Sequence, residues 1–300
     1  MTTVLRTSAF GQQATQYGRA LPFSESVASV EHLPEALGEA LQAELAGEEA
    51  RLIIHSPAFS TSAHSSPENA FALTDSRWIL VSHTDNGAQR QSAVFATTAL
   101  VELTMILLGG QLRIESVGGA ASCAVSFNMV SIDLFREAVF MILAGARSGE
   151  TPNPPTAKVD LDVLSFKFQT ALAEQTPPGE TLQGVCSWER EAPPFAWLMF
   201  RRPAAPAGVL ALTGHCLCII TDPYVSKGKQ PKGESPHGKI VTYLLRRHPV
   251  VVSEGEGRMS GERELSFAVG VGGSVARHVL RVPAHRAAPV RGLIEASRLS

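Results

Sequence analysis

The sequence contains few residues suited to cross-links or metal sites, with only four cysteines among 300 residues. Cys123 and Cys186 are isolated, whereas Cys216 and Cys218 alternate in an apolar run and would share one face of a strand. Only His215 adjoins them, so the set of ligands that a metal site needs is missing. We predict four free structural thiols, no metal and no cofactor.

A long hydrophobic run is also lacking. The most apolar stretch, 94–110, contains Glu102 and is shorter than the roughly 20 apolar residues of a membrane-spanning helix. Residues 1–19 have no uninterrupted apolar segment of the kind found in secretory signals. We therefore expect no transmembrane segment and a cytoplasmic location.

No charge of one sign dominates, because the net charge is −2 and charged residues make up 18% of the chain. A strongly basic protein, which would favour bulk nucleic-acid binding, is excluded, and nucleic acid is not an expected partner. An apolar fraction of 44% excludes a disordered polyampholyte. Lysine is scarce, with six residues against 20 arginines, which is typical of a GC-rich bacterial genome.

Catalytic signatures are absent as well. The nine histidines are scattered without an H-E-x-x-H pattern, and no G-x-S-x-G elbow is present. The glycine-rich segment 270–276 is followed by an alternating pattern typical of a strand, which predicts a hairpin and not a dinucleotide site. We predict no catalytic residues and no enzyme, with an uncharacterised hydrolase as the remaining enzymatic alternative.

The chain does contain an internal repeat. Segments 71–81 and 210–220 each place two apolar runs around a Leu-Thr turn, at Thr74 and Thr213. Further on, Gly118-Gly119 and Gly272-Gly273 separate alternating runs, as glycines of tight hairpin turns do. Helical apolar stripes then predict closing helices at about 131–145 and 288–299, with Pro289 in the first turn of the second.

Domain boundaries follow from the repeat and from local composition. We expect a loose N-terminal extension over 1–30, a first domain over 31–147 and a second over 161–300. Between them, 148–160 is rich in Pro, Gly and Thr without periodicity, as in a linker. The second copy is longer than the first mainly because of a basic inserted loop at 223–239.

The Leu-Thr turn, the Gly-Gly hairpin and the closing helix, occurring twice in this order, resemble the bacterial pleckstrin-homology-like (PH-like) domain. The resemblance covers about 33–146 and 165–299. It implies a mainly β fold with some α: two tandem PH-like β-barrels, each a bent seven-stranded sheet closed by a C-terminal amphipathic helix. It also implies binding of peptides, proteins or anionic head groups without catalysis.

The basic segment is the candidate ligand site, because clustered cations attract anions through charge-assisted hydrogen bonds. Between residues 223 and 249 the segment contains six lysines and arginines and a single acidic residue, Glu234. The candidate ligand-binding residues are Lys227, Lys229, Lys232, Lys239, Arg246 and Arg247. A loop of charged side chains that serves only solubility is the alternative.

An aromatic cluster enters the second copy at Trp188, Phe195, Trp197 and Phe200. These side chains are predicted either to be buried within strands or to pack between the two copies. Together the patterns predict a non-catalytic binding or scaffold protein whose partner is another protein or a second copy of itself. Binding of an anion, a phospholipid surface or a nucleic acid through the lysine-rich loop is the alternative.

Overall fold

The computed structural model describes eight stretches of the chain. They are residues 23–60, 65–106, 108–147, 159–190, 205–223, 238–257, 261–270 and 275–296. The helices and strands in these stretches form two successive series, one on either side of residues 148–158.

The first series consists of two helices and the strands between residues 25 and 128. Helix α1 spans Glu35–Leu45 and helix α2 spans Ile132–Ala146. The strands are β1 (Glu25–Ser26), β2 (Leu52–Ser56), β3 (Phe59–Ser60), β4 (Ser65–Ser66), β5 (Glu68–Leu73), β6 (Arg77–Thr84), β7 (Gly87–Val94), β8 (Thr98–Ile106), β9 (Gly109–Ser116) and β10 (Cys123–Asn128). Apart from β1 and the short hairpin β3–β4, the order is helix, seven strands, helix.

The second series has the same order of elements. Helix α3 spans Phe166–Gln175 and helix α4 spans Ala284–Ala296. Between them lie β11 (Leu182–Trp188), β12 (Gly208–Thr213), β13 (Cys216–Thr221), β14 (Gly238–Leu245), β15 (Val250–Glu256), β16 (Glu262–Val269) and β17 (Ala276–Pro283).

The strands pair antiparallel in three main sheets. The orders are β1-β2-β5-β6-β7, then β10-β9-β8-β14-β13-β12-β11, and β15-β16-β17. The mainly β class is therefore confirmed, but the described strands form no closed barrel, so the prediction of two barrels is not met. One physical reason is that β8 has β9 on one side and β14 on the other, which leaves neither of its edges for β7.

The two series share the turn that the sequence repeat predicts. The Thr74 hydroxyl donates to the carbonyl of Arg77, and the Thr213 hydroxyl donates to the carbonyl of Cys216. In both turns, the backbone N–H of that third residue donates back to the threonine oxygen, at 3.2 Å and 3.1 Å. A hydroxyl side chain suits this turn, since it both donates and accepts. The next residue differs between the turns, being Asp75 in one and Gly214 in the other.

The Gly-Gly hairpin is observed in the first series. Gly118 and Gly119 lie between β9 and β10 with φ of 72° and 78°, a region that side-chain-bearing residues rarely adopt. Gly272 and Gly273 lie outside the described residues. The strand β17 that follows them agrees with the prediction of a hairpin for 270–276.

The two closing helices agree with their predicted bounds to different degrees. Helix α2 begins and ends within one residue of its predicted bounds, and it buries Phe135 against Phe127 with ring centroids 3.9 Å apart. Helix α4 begins at Ala284, directly after β17, and Pro289 lies inside it and not in the first turn. Its buried face consists of Ala287, Val290 and Ile294.

Apolar side chains on both faces of the seven-stranded sheet form two large cores. One core extends from Trp78 and Phe135 of the first series to Phe168 and Tyr243 of the second. The other contains Trp188, Phe267 and Val290 of the second series together with Ala99 and Leu100 of β8. A third, smaller cluster lies between α1 and the outer face of β2, β5 and β6. Both large cores therefore contain residues from both series.

Residues 23–30 correct one expectation, that 1–30 is a loose extension. Glu25 and Ser26 pair with β2, the buried Ser24 hydroxyl lies 2.8 Å from that of Ser56, and Ser131 donates to the Ser24 carbonyl. Residues 1–22 lie outside the described residues, as does 148–158 of the predicted linker. None of the described helices is long and apolar enough to cross a membrane.

The cysteines are free thiols, with Cys123, Cys216 and Cys218 buried and Cys186 half-buried.

Candidate functional site

Gly238 and Lys239, at the end of the predicted inserted loop, belong to strand β14, and most of the rest of that loop lies outside the described residues. In the first series, Asp85 and Asn86 are the only residues between β6 and β7, whereas 222–237 separates the equivalent strands β13 and β14. Lys227, Lys229 and Lys232 lie outside the described residues. Their role as ligand contacts stays a prediction.

Lys239, Arg246 and Arg247 are described, and they are not brought together. Lys239 is the second residue of β14, whereas the two arginines directly follow its last residue, Leu245. Six residues of strand lie between Lys239 and Arg246, so the two are about 23 Å apart along the chain at about 3.3 Å per residue. Lys239 Nζ instead lies 3.0 Å from Glu174 Oε2 of α3.

The two arginines bind backbone and side-chain oxygens of neighbouring turns. Arg246 Nη1 donates to the carbonyl of Thr213 at 2.7 Å and to Gln183 Oε1 at 3.1 Å. Burial lowers the pKa of its guanidinium, although Cys216 and Glu180 act in the opposite direction. Arg247 donates to the carbonyl of Ala146, the last residue of α2, where a cation is favourable.

A buried ionic cluster next to these arginines links the two series. Glu180 Oε1 lies 3.1 Å from Arg147 Nη1 and 2.6 Å from His215 Nδ1, and its side chain is 3% exposed. Arg147 follows α2, Glu180 precedes β11, and His215 is in the β12–β13 turn. No local sequence pattern indicates this cluster, because its members are 33 to 68 residues apart and share no motif.

Cys216 lies beside this cluster but is unsuited to nucleophilic chemistry. Burial raises the pKa of its thiol to about 12, with a further contribution from the charge of Glu180. Its sulfur lies 3.3 Å from the Thr213 hydroxyl. Since the thiolate is the nucleophilic form of cysteine, a thiol with this pKa is almost wholly protonated near neutral pH.

A second polar cluster lies between the seven-stranded and the three-stranded sheets. Glu102 of β8 lies 3.6 Å from both Arg113 and His278, and the Thr242 hydroxyl donates to it at 3.2 Å. Burial would raise the pKa of the Glu102 carboxyl, but His278, Arg113 and Thr242 together lower it below its ordinary value of 4.5. The carboxylate is therefore stabilised in the folded protein.

We expect Glu102→Gln to reduce the loss of stability in acid. Because the carboxyl pKa is lower in the folded state, its contribution is complete above about pH 4.5 and is lost as the pH falls through the folded value. The urea midpoint of the wild type should therefore drop more between pH 6 and pH 3.5 than that of the variant. Glu39→Gln, at an exposed position of α1, is the control; an equal drop in Glu102→Gln and the wild type would contradict the assignment.

Exposed apolar side chains lie towards one end of the seven-stranded sheet. The antiparallel strands β8, β13 and β14 place Ile106, Thr221 and Gly238 at this end, and the Met129 N–H donates to the Leu108 carbonyl beside it. Helix α3 begins at the same end, because Lys167 forms an ion pair with Asp222. Four apolar side chains on these segments are 71% to 81% exposed: Leu108, Val130, Val163 and Phe166. We call these four residues the apolar end.

Within the described residues, no group of three or more His, Cys, Asp or Glu side chains has the arrangement of a metal site. Phe195, Trp197 and Phe200 of the predicted aromatic cluster lie outside those residues, whereas Trp188 is buried, as one of the two alternatives expected. Comparisons with protein-family models, curated proteins and solved structures give no match.

Proposed function

We propose that this chain is a non-catalytic protein-binding module and that the apolar end is its contact surface. The exposure of Leu108, Val130, Val163 and Phe166 carries the proposal. Isolated apolar residues are ordinary on protein surfaces, but a group at one end of a sheet is typical of a site for an apolar partner. Phe166 would be the principal anchor, since aromatic side chains contribute most to such contacts.

The order of elements supports a relation to the PH-like domain. Each series consists of a preceding helix, seven strands and a closing helix, with an equivalent threonine turn. On this proposal the chain contains two PH-like units whose sheets are open, joined by the pairing of β8 with β14. The family resemblance then favours a binding role over catalysis for both units.

The buried ionic clusters support a structural role for the chemically active side chains. The Glu180 carboxylate contacts Arg147 and His215, and the Glu102 carboxylate contacts Arg113 and His278. These contacts hold separate elements together. They leave the exposed apolar side chains as the features best suited to contact another molecule.

Replacing Leu108 and Phe166 by lysine should strongly reduce capture of a protein partner. Two charged groups in place of apolar anchors should lower the affinity at least about tenfold. The measurement is quantitative mass spectrometry of proteins retained from a bacterial lysate by the immobilised chain. The matched control replaces Val279, which is 49% exposed on β17 of the three-stranded sheet, by lysine.

The outcomes separate this proposal from binding through the lysine-rich loop. Equal retention by the wild type and the Leu108/Phe166 variant would overturn the protein-binding proposal. Salt-sensitive binding to phosphatidylserine vesicles that disappears when Lys227, Lys229 and Lys232 are changed to glutamate would favour the anionic ligand instead. Melting temperatures of the variants confirm that each remains folded.

A further inference from the structure

The two series are joined by a strand pairing whose geometry is well defined. In the centre of the seven-stranded sheet, β14 pairs antiparallel with β8, with Lys239 opposite Met105, Val241 opposite Leu103 and Tyr243 opposite Val101. The edge of β14 that faces away from β13 is thus hydrogen-bonded to the edge of β8 that faces away from β9.

Strand β7 occupies in the first series the position that β14 occupies in the second. Both follow the second strand of the hairpin at the threonine turn. Ile79 of β6 pairs with Ser92, and Cys218, the equivalent of Ile79, pairs with Tyr243. Ser92 is therefore equivalent to Tyr243, and two residues earlier Arg90 is equivalent to Val241.

The backbone of β7 presents its hydrogen-bonding groups as β14 does. The Phe95 N–H donates to the Ser76 carbonyl, so in this antiparallel pair alternate residues, including Arg90 and Ser92, direct their N–H groups away from β6. In β14 the Arg246 N–H donates to the His215 carbonyl, so the equivalent residues Val241 and Tyr243 face β8.

Strand β15 is the second-series equivalent of β8. Strand β8 follows β2, β5, β6 and β7, and β15 follows β11, β12, β13 and β14, when the short hairpin β3–β4 is left aside. The Gly257 N–H donates to the Glu262 carbonyl across β15 and β16, so Val252, Glu254 and Glu256 direct their N–H groups away from β16. Among the described strands, β7 and β15 are end strands of their sheets.

We propose that β7 of one copy of this chain pairs antiparallel with β15 of a second copy, as β14 pairs with β8 within one chain. The first series of one copy then contacts the second series of the other copy, in the way that the second series contacts the first within one chain. Repetition of this contact adds further copies one after another. This surface is distinct from the apolar end.

Charge and exposure fit this occupant. Arg90 is the only charged residue of β7, and β15 carries Glu254 and Glu256 and no cation. Glu254 also lies 3.4 Å from Arg263 of β16 and 3.3 Å from Arg291 of α4, so part of its charge is compensated within its own chain. Most of β7 and the second half of β15 are exposed, so both are accessible to another chain. Opposite charges on facing strands favour pairing, whereas two β7 strands would place their arginines against each other.

The interface is heterologous, which makes a mixing experiment decisive. Each copy carries one β7 and one β15, so loss of either edge stops growth at that edge only. Arg90→Pro removes an N–H that points away from β6, and Glu254→Pro removes one that points away from β16. Proline is tolerated at such positions of edge strands.

Sedimentation equilibrium over a range of concentrations tests the proposal. The wild type should exceed the monomer mass of 32.0 kDa as concentration rises, and each proline variant alone should remain at that mass. An equimolar mixture should form a complex of two chains and no larger species, because Glu254→Pro retains β7 and Arg90→Pro retains β15. Val279→Pro, which removes an outward N–H from the other end strand β17, should associate as the wild type does.

Three results would overturn the proposal. The first is a wild type that stays monomeric at all concentrations, and the second is a mixture that stays monomeric. The third is protection of the Arg90 N–H from hydrogen exchange in a monomer that disappears on deletion of residues 1–22, since another part of the chain would then cover β7. The Leu108/Phe166 lysine variant should associate normally, so this proposal and the proposed function fail separately.

Discussion

Glu180→Gln should lower the free energy of unfolding by about 3 kcal/mol, because removal of one member of a buried ionic group leaves its partners uncompensated. The Glu180 side chain is 3% exposed and that of its cationic partner Arg147 is 29% exposed, so water compensates the lost charge only in part. Glutamine keeps the shape of the side chain, which confines the effect to charge. Urea denaturation followed by tryptophan fluorescence measures the change.

Asp75→Asn is the matched control for this carboxylate. Asp75 forms an ion pair with Arg51 at 2.7 Å, but both side chains are at least half exposed. Its substitution should change stability little, because exposed pairs contribute little and are screened. A loss in Glu180→Gln no greater than that of the control would show that the buried cluster does not hold the two series together.

Trp188→Ala should destabilise the protein by about 3–5 kcal/mol, as removal of a large buried aromatic ring leaves a cavity. The ring is 1% exposed and its Nε1 donates to the Pro206 carbonyl at 2.9 Å. Gly208 lies against it so closely that a Cβ there would be 2.4 Å from the ring. The backbone at Gly208 thus packs directly against the Trp188 ring.

Circular dichroism during urea denaturation is the suitable measurement, because the substitution removes a fluorophore. Trp188→Phe should cost less, since the smaller ring retains part of the packing but leaves the Pro206 carbonyl without its donor. Val279→Ala, at an exposed position, should have little effect. Equal stability of Trp188→Ala and the wild type would contradict the burial of this residue.

The repeat was predictable from sequence because it is carried by local patterns. A threonine that accepts and donates within its own turn leaves the same signal at Thr74 and Thr213. Helix α2 follows from its apolar stripe, since burial along one face requires that spacing. The position of the inserted loop follows from the difference in length between the copies.

The pairing of β8 with β14 could not be predicted in the same way. Both strands are apolar, and nothing in their residues distinguishes a partner in the same unit from one in the other. The ionic contacts of Glu180 and Glu102 depend on that long-range arrangement and have no local signal. For the same reason, the sequence suggested a cluster of Lys239 with Arg246 and Arg247, whereas strand β14 separates them.

The junction between β8 and β14 also has a consequence for biosynthesis. Glu102 and Thr242, which meet across it, are 140 residues apart in the chain. At a typical rate of about 5–20 residues per second, the ribosome therefore completes β8 several seconds or more before β14. During that interval the nascent first unit presents the edge of β8 without the strand that will cover it. An uncovered edge of this kind can pair with another nascent chain, and the folding yield therefore depends on how quickly the second unit follows.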